Sequence, residues 1–223
     1  MMSENPELSV VIPAYNEESN VAAMYERVVA ALDDVVDGLE ILYVDDGSAD
    51  TTWDRVTELA AADPRVRGLR FARNFGHQAA LTAGVDAARG EAVVIIDGDL
   101  QDPPEVIPEM VARWREGFEV VYGQREGREG ETWFKLATAK LFYRILRGIT
   151  NVEIPVDTGD FRLMGPRAVE AFRALPERNR FIRGLVSWIG FPQVAVRYTR
   201  RARQVGETKF PVRRMLRFAL DGI

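Results

Sequence analysis

The chain of 223 residues is predicted to be an α/β protein, with a mostly parallel sheet carrying helices on both faces. Three observations predict this. Short runs rich in Val, Ile and Leu recur at residues 8–12, 40–44, 68–71 and 91–96. A stretch of helical character separates each run from the next, and such strand-and-helix alternation implies parallel pairing. Each run also opens into a polar loop, and in open α/β sheets ligands bind beyond the carboxyl ends of the strands.

The first loop reads Pro13-Ala14-Tyr15-Asn16-Glu17, the second Asp45-Asp46-Gly47-Ser48, the third Ala72-Arg73-Asn74-Phe75-Gly76 and the fourth Asp97-Gly98-Asp99-Leu100-Gln101-Asp102. Thr51 followed by Asp54 resembles a capping box, and Pro103-Pro104-Glu105 suits the opening turn of a further helix. After a strand at 120–123, residues 133–149 set Phe134, Leu141, Phe142, Ile145 and Ile149 on one side and Lys140, Arg144 and Arg147 on another. That pattern predicts a basic amphipathic helix, with Trp133, Phe134 and Phe142 facing a membrane interface. A strand is predicted at 160–164, helices at 166–174 and 181–189, the latter with Trp188, and a last strand at 193–198. No internal repeat or low-complexity linker interrupts this order, so one main core is expected.

Hydrophobic residues make up 47% and charged residues 28% of the chain, the composition of an ordinary globular protein. With no cysteine, disulfides and thiolate metal sites are excluded, and a metal must rely on oxygen ligands or on His77, the single histidine. His77 follows Gly76 where a helix begins; it is read as a cap or packing residue and left out of the site. The first eight residues are polar and acidic, unlike a signal peptide, and predict a cytoplasmic start. No run approaches the roughly 18 apolar residues needed to cross a bilayer. Net charge is −5, yet residues 197–217 hold eight Lys or Arg against Glu207 alone. Such a segregated basic tail points to an anionic surface, lipid headgroups or nucleic acid, or to a solvated basic face.

Asp97 and Asp99, one residue apart beyond a buried strand, are placed to face a single cation, with Gly98 allowing the tight path and Gln101 adding an oxygen ligand. Magnesium or manganese bound by one or two carboxylates and completed by phosphate oxygens is the usual partner of a nucleotide. Alone, an Asp-x-Asp turn is common.

Here it is accompanied by the loops quoted above, by Asn74-Phe75-Gly76, by Pro103-Pro104, and by Asp157-Thr158-Gly159-Asp160-Phe161-Arg162-Leu163. Together these resemble the inverting family-two glycosyltransferases, and within them the branch of dolichyl-phosphate mannosyltransferases and bactoprenol glucosyltransferases. The resemblance covers nearly the whole chain in family order. It implies a Rossmann-like nucleotide-diphospho-sugar transferase (GT-A) fold over residues 1–210, with basic amphipathic interface helices. Residues 211–223 then form an amphipathic juxtamembrane segment, at the point where bactoprenol relatives continue into transmembrane helices. By the same resemblance Pro13, Tyr15, Asn16 and Glu17 line the nucleotide pocket, Asp45 contacts the base or ribose, Asp97 faces the ribose or sugar, and Asp99 and Gln101 hold Mg2+ or Mn2+ on the diphosphate. Arg125, Arg128 and Arg162 are implied to bind the acceptor phosphate. Arg203 with Gly206-Glu207-Thr208-Lys209 matches a loop that closes over diphosphate and acceptor.

The implied partners are a nucleoside-diphosphate sugar, a polyprenyl phosphate and a membrane surface, without nucleic acid, at the cytoplasmic face of the cell membrane; self-association would run through the membrane region. Tyr15, Glu17 and Asp45 suit a uridine or a guanosine donor, with UDP-glucose favoured over GDP-mannose. An acceptor phosphate monoester is already anionic near neutral pH, so little or no general base is needed and the burden falls on the leaving group, carried by Asp99, Arg203 and Lys209. Asp157 and Asp160 are read as orienting Arg162 or the sugar. The competing readings are a transferase acting on a sugar hydroxyl, a sugar nucleotidyltransferase and a catalytically silent binding module. The first needs a working carboxylate base, the second a Gly-rich triphosphate loop, and the third should lack a complete metal motif.

Overall fold

A computed structural model of the chain describes residues 5–126, 158–177 and 180–200. In chain order it contains β1 (Leu8–Ala14), α1 (Val21–Leu32), β2 (Leu39–Asp45), α2 (Thr52–Ala62), β3 (Val66–Arg70), α3 (His77–Ala87) and β4 (Ala92–Ile95). A 3-10 turn at Pro104–Val106 leads into α4 (Ile107–Arg115), followed by β5 (Val120–Arg125), β6 (Thr158–Met164), α5 (Pro166–Ala174), α6 (Ile182–Ile189) and β7 (Gln193–Tyr198). The predicted basic helix at 133–149 lies outside the described residues, as do Arg128, Asp157, Arg203, Lys209 and the juxtamembrane segment.

The strands form a seven-stranded sheet in the order β3-β2-β1-β4-β6-β5-β7. β1 pairs in parallel with β2 and β4, β2 with β3, and β5 with β7. Only β6 runs against its neighbours, β4 and β5. The chain winds outward from β1 to β3 and then returns to β4 on the other side of β1. That reversal is the topological switch point, where ligands bind beyond the strand ends.

Each central strand is buried on both faces, which is why it reads as a continuous apolar run. Leu8, Val10 and Ile12 of β1, Ile41 and Tyr43 of β2, and Val94 of β4 pack with Met24, Val28 and Leu32 of α1, Val56 of α2 and Met110 of α4. Val11, Leu42, Val44, Val93 and Ile95 face the opposite way, onto Leu81 and Val85 of α3, Phe172 of α5 and Val186 of α6. Helix α1 buries Val21, Met24, Val28 and Leu32, a stripe at helical spacing.

Two local expectations are corrected. Pro13 and Ala14 end β1 instead of opening its loop. The ladder to β4 stops at Val11, so β1 has only β2 beside it at Pro13, and the missing N–H of proline is tolerated there. Thr51 is the N-cap of α2 but makes no capping bond. Its hydroxyl donates instead to Glu18 Oε2 at 2.6 Å, a charged and therefore stronger acceptor brought in from the β1–α1 loop. Among the described residues no helix is long and apolar enough to cross a membrane.

Candidate active site

The loops after β1 and β2 are laced to one another. The Asn16 N–H donates to Ser48 Oγ and the Ala49 N–H to Asn16 Oδ1, both at 2.9 Å, while the Glu17 N–H donates to Thr52 Oγ1 at 2.9 Å. Asn16 takes a left-handed φ of 53°, which asparagine tolerates better than most residues. Glu17 accepts from Asn20 Nδ2 at 2.6 Å, and Tyr15 stands 38% exposed at the rim. Asp45, at the last position of β2, is fully buried. Its Oδ1 accepts the Ser48 N–H at 3.0 Å, but Oδ2 makes no hydrogen bond. Arg70 Nε lies 3.3 Å from that oxygen, within ion-pair range but outside hydrogen-bond geometry. A buried carboxylate oxygen left half satisfied in a cleft suits recognition of a ligand hydroxyl or N–H.

Asp46, which carried no role in the sequence reading, organises the third loop. It accepts the N–H groups of Phe75 at 2.7 Å and Gly76 at 2.9 Å, and Asn74 Nδ2 at 2.9 Å. Gly47 beside it has φ +70°, and a Cβ there would fall 2.4 Å from the carbonyl carbon of Arg73. The position therefore admits only glycine.

The acidic loop crosses directly over the end of β1. A Cβ on Gly98 would lie 2.8 Å from the Pro13 carbonyl oxygen, so glycine lets Asp97 and Asp99 follow one another against that strand. Leu100 holds φ 60°, a costly conformation for a bulky residue, and the Gln101 N–H donates to Asp99 Oδ1 at 3.1 Å. Asp97 Oδ1 is buried without a hydrogen bond. The donor set of Asp97, Asp99 and Gln101 is all oxygen, as hard divalent ions require. Among the described residues no group of three or more Asp, Glu, His or Cys is arranged to hold an ion alone. Two carboxylates and an amide oxygen fit a cation whose remaining positions are filled by phosphate oxygens.

Behind Asp97 lies a charge cluster that the sequence reading missed. Asp160 of β6, almost fully buried, accepts Arg183 Nε at 2.8 Å and Nη2 at 3.1 Å, and Gln78 Nε2 at 3.2 Å. His77 Nε2 sits 3.2 Å from Asp160 Oδ2 and 3.4 Å from Asp97 Oδ1, so it bridges two carboxylates and is no mere cap. Partial loss of hydration opposes charge on the imidazole, whose side chain is still 39% exposed, but Asp97 and Asp160 outweigh it and raise its pKa to about 9. Burial, then the neighbouring carboxylates of Asp160, Asp102 and Asp99, raise Asp97 to about 6 against the pull of His77. Burial also opposes ionisation of Asp160, yet His77 and Arg183 hold it well below the usual carboxylate range. One signal for His77 was available: it directly follows one of the four polar loops. Arg183 and Gln78 sit in unremarkable helical sequence and carried no signal.

Arg125 ends β5 with its side chain 15% exposed, beside Asp102 of the acidic loop. Arg162 is almost fully buried, and its guanidinium donates to the Asp160 and Gly159 carbonyls at 3.3 and 3.1 Å. Burial lowers its pKa to about 10. It braces β6. Asp160 does orient Arg162, but through its carbonyl rather than its carboxylate.

Residues 9–172 match the model of glycosyl transferase family 2. The chain is 50% identical over its full length to the uncharacterized glycosyltransferase YkcC of Bacillus subtilis (strain 168), covering 69% of that protein. It is 40% identical over 97% of its length to the prophage bactoprenol glucosyl transferase homolog of Escherichia coli (strain K12), covering 71% of it. Among solved structures, the mannosyltransferase PcManGT from Pyrobaculum calidifontis, in complex with GDP-Man and Mn2+, superposes with a TM-score of 0.63 at 19% identity. That match covers 90% of this chain and 58% of the other.

Proposed function

Since the chain belongs to glycosyl transferase family 2 and is a glycosyltransferase with a GT-A-like fold, we propose that it moves a hexose from a nucleoside-diphosphate sugar to a polyprenyl phosphate. UDP-glucose is the favoured donor, the acceptor lies at the cytoplasmic face of a membrane, and the anomeric centre is inverted. The 40% identity to a bactoprenol glucosyl transferase homolog over 97% of the chain carries the lipid acceptor and the glucose.

The donor is read into the switch point between β1 and β4. Asp45 offers its unsatisfied Oδ2 to the base or ribose, and Pro13, Tyr15, Asn16 and Glu17 line the same pocket. Asp99 and Gln101 would hold Mg2+ or Mn2+ against the diphosphate, with Asp97 towards the ribose or sugar. When bound, such an ion supplies a Lewis acid for charge developing on the departing diphosphate. Arg203 and Lys209 are assigned to that same charge, and Arg125 and Arg128 to the acceptor phosphate. An ionised phosphate oxygen attacks without help from a base, so Asp160, already committed to Arg183, Gln78 and His77, need not accept a proton. Its role is to keep a positive charge beside Asp97.

Calorimetric titration of UDP and of GDP, each with and without manganese, into the wild-type chain and Asp99→Ala tests the donor site. The expected result is manganese-dependent binding of UDP that Asp99→Ala abolishes. The same behaviour with GDP alone would transfer the reading to GDP-mannose, and no binding of either would leave a catalytically silent module.

A further inference from the structure

Asp102 closes the acidic loop, but its carboxylate is engaged by β5, β7 and the residues that follow β7. It is fully buried. Tyr198 donates its hydroxyl to Asp102 Oδ1 at 2.5 Å, Arg125 Nη2 approaches Oδ2 at 3.5 Å, and Arg200 Nε lies 3.4 Å from Oδ1 in ion-pair contact. The same Tyr198 hydroxyl accepts from Arg125 Nε at 3.3 Å. Arg125 is thus gripped at two of its nitrogens, one by a carboxylate and one by a phenol.

Arg125 and Tyr198 are register partners in the parallel β5–β7 ladder, at the end of the sheet where the acidic loop emerges. Among the described residues the buried Asp102 carboxylate is shared by two guanidiniums, and Asp97 lies within electrostatic reach of Arg125. Neither arginine is sealed in: their side chains are 15% and 32% exposed, while Asp102 has no contact with solvent. This is a built arrangement, in which side-chain freedom is lost on folding and not on binding, as preorganised anion sites require.

We infer that Asp102 and Tyr198 are positioning residues that hold Arg125 and Arg200 as a paired anchor for a phosphate monoester, the headgroup of the acceptor. The inference rests on the polyprenyl-phosphate reading above and adds Arg200, Asp102 and Tyr198 to it. Neither Asp102 nor Tyr198 touches the acceptor. They fix the plane of the Arg125 guanidinium by hydrogen bonds, and Asp102 holds Arg200 beside it by charge, a pairing suited to phosphate.

The test measures equilibrium binding of farnesyl phosphate, of inorganic phosphate and of UDP with manganese to the wild type, Tyr198→Phe, Asp102→Asn and Arg200→Gln. Tyr198→Phe removes one oxygen and keeps the ring, so it serves even if Asp102→Asn fails to fold. Expected are a farnesyl phosphate affinity about threefold weaker in Tyr198→Phe and about tenfold weaker in Asp102→Asn and Arg200→Gln, with UDP within about twofold of wild type. Inorganic phosphate should weaken in parallel with farnesyl phosphate, since the charged headgroup is what the pair recognises. Unchanged farnesyl phosphate affinity in folded variants overturns the positioning role and leaves the proposed function intact. Loss of UDP affinity instead would assign the pair to the donor's diphosphate and overturn it equally. A wild-type chain that binds UDP but neither phosphate probe would overturn the acceptor reading itself.

Discussion

The imidazole of His77 and the carboxylate of Asp160 meet at 3.2 Å, although 83 residues separate them in the chain. The contact joins the first turn of α3 to β6, and through Asp97 it reaches the acidic loop at the switch point.

His77→Ala removes the cation between two carboxylates that burial already strains. Because the side chain is 39% exposed, the expected loss is modest, about 1–2 kcal/mol in urea denaturation. Glu58→Ala, which breaks an exposed pair with Arg55, should change stability by less than about 0.5 kcal/mol. Equal effects would mean that the bridge is incidental.

Gly47→Ala forces a side chain into a left-handed backbone and against the main chain of Arg73. A loss of about 3 kcal/mol is expected, visible as a lowered thermal midpoint. Nucleotide affinity should fall with it, because Asp46 and the third loop must shift.

Asp45→Asn keeps Oδ1 for the Ser48 N–H but replaces the oxygen that faces Arg70 with an amide NH2. Stability should fall by about 1–2 kcal/mol, while UDP affinity in calorimetry should drop about tenfold or more, the worth of one charge-assisted hydrogen bond. Unchanged affinity would remove Asp45 from the donor site.

Arg162→Gln and Arg125→Gln separate a bracing arginine from one proposed to bind the acceptor phosphate. The first should lose about 2–3 kcal/mol of stability by abandoning the Gly159 and Asp160 carbonyls. The second should leave nucleotide binding unchanged and weaken binding of farnesyl phosphate.

Acid stability depends on Asp63 at the end of α2. Arg65 bonds to it through Nε and Nη2 and Tyr25 donates to it at 2.8 Å, which hold its pKa at about 2. The folded pKa is depressed, so the stabilisation is complete above pH ~4 and disappears as pH falls through about 2. With Arg65 a third exposed and partly screened, about 1–2 kcal/mol is expected. Denaturation midpoints of the wild type should converge on those of Asp63→Asn over that interval.

The strands, the polar loops and the family were all legible in the order of residues along the chain. Strands such as 40–44 and 91–96 were legible because a parallel sheet buried on both faces needs unbroken apolar runs. The elements at Pro166–Ala174 and Gln193–Tyr198 were read to the residue, because Gly165 and Pro192 punctuate the chain just before them. The acidic loop was legible as well, since its carboxylates are sequence neighbours. Tertiary structure alone decided which charges meet. Asp160 finds Arg183 across 23 residues and His77 across 83, and Asp102 finds Tyr198 across 96. It also decided that β6 runs against the sheet and turns Arg162 inward onto its own strand. Spacing along a chain encodes a face and a period, whereas the partner of a buried charge is set by which strand ends lie side by side.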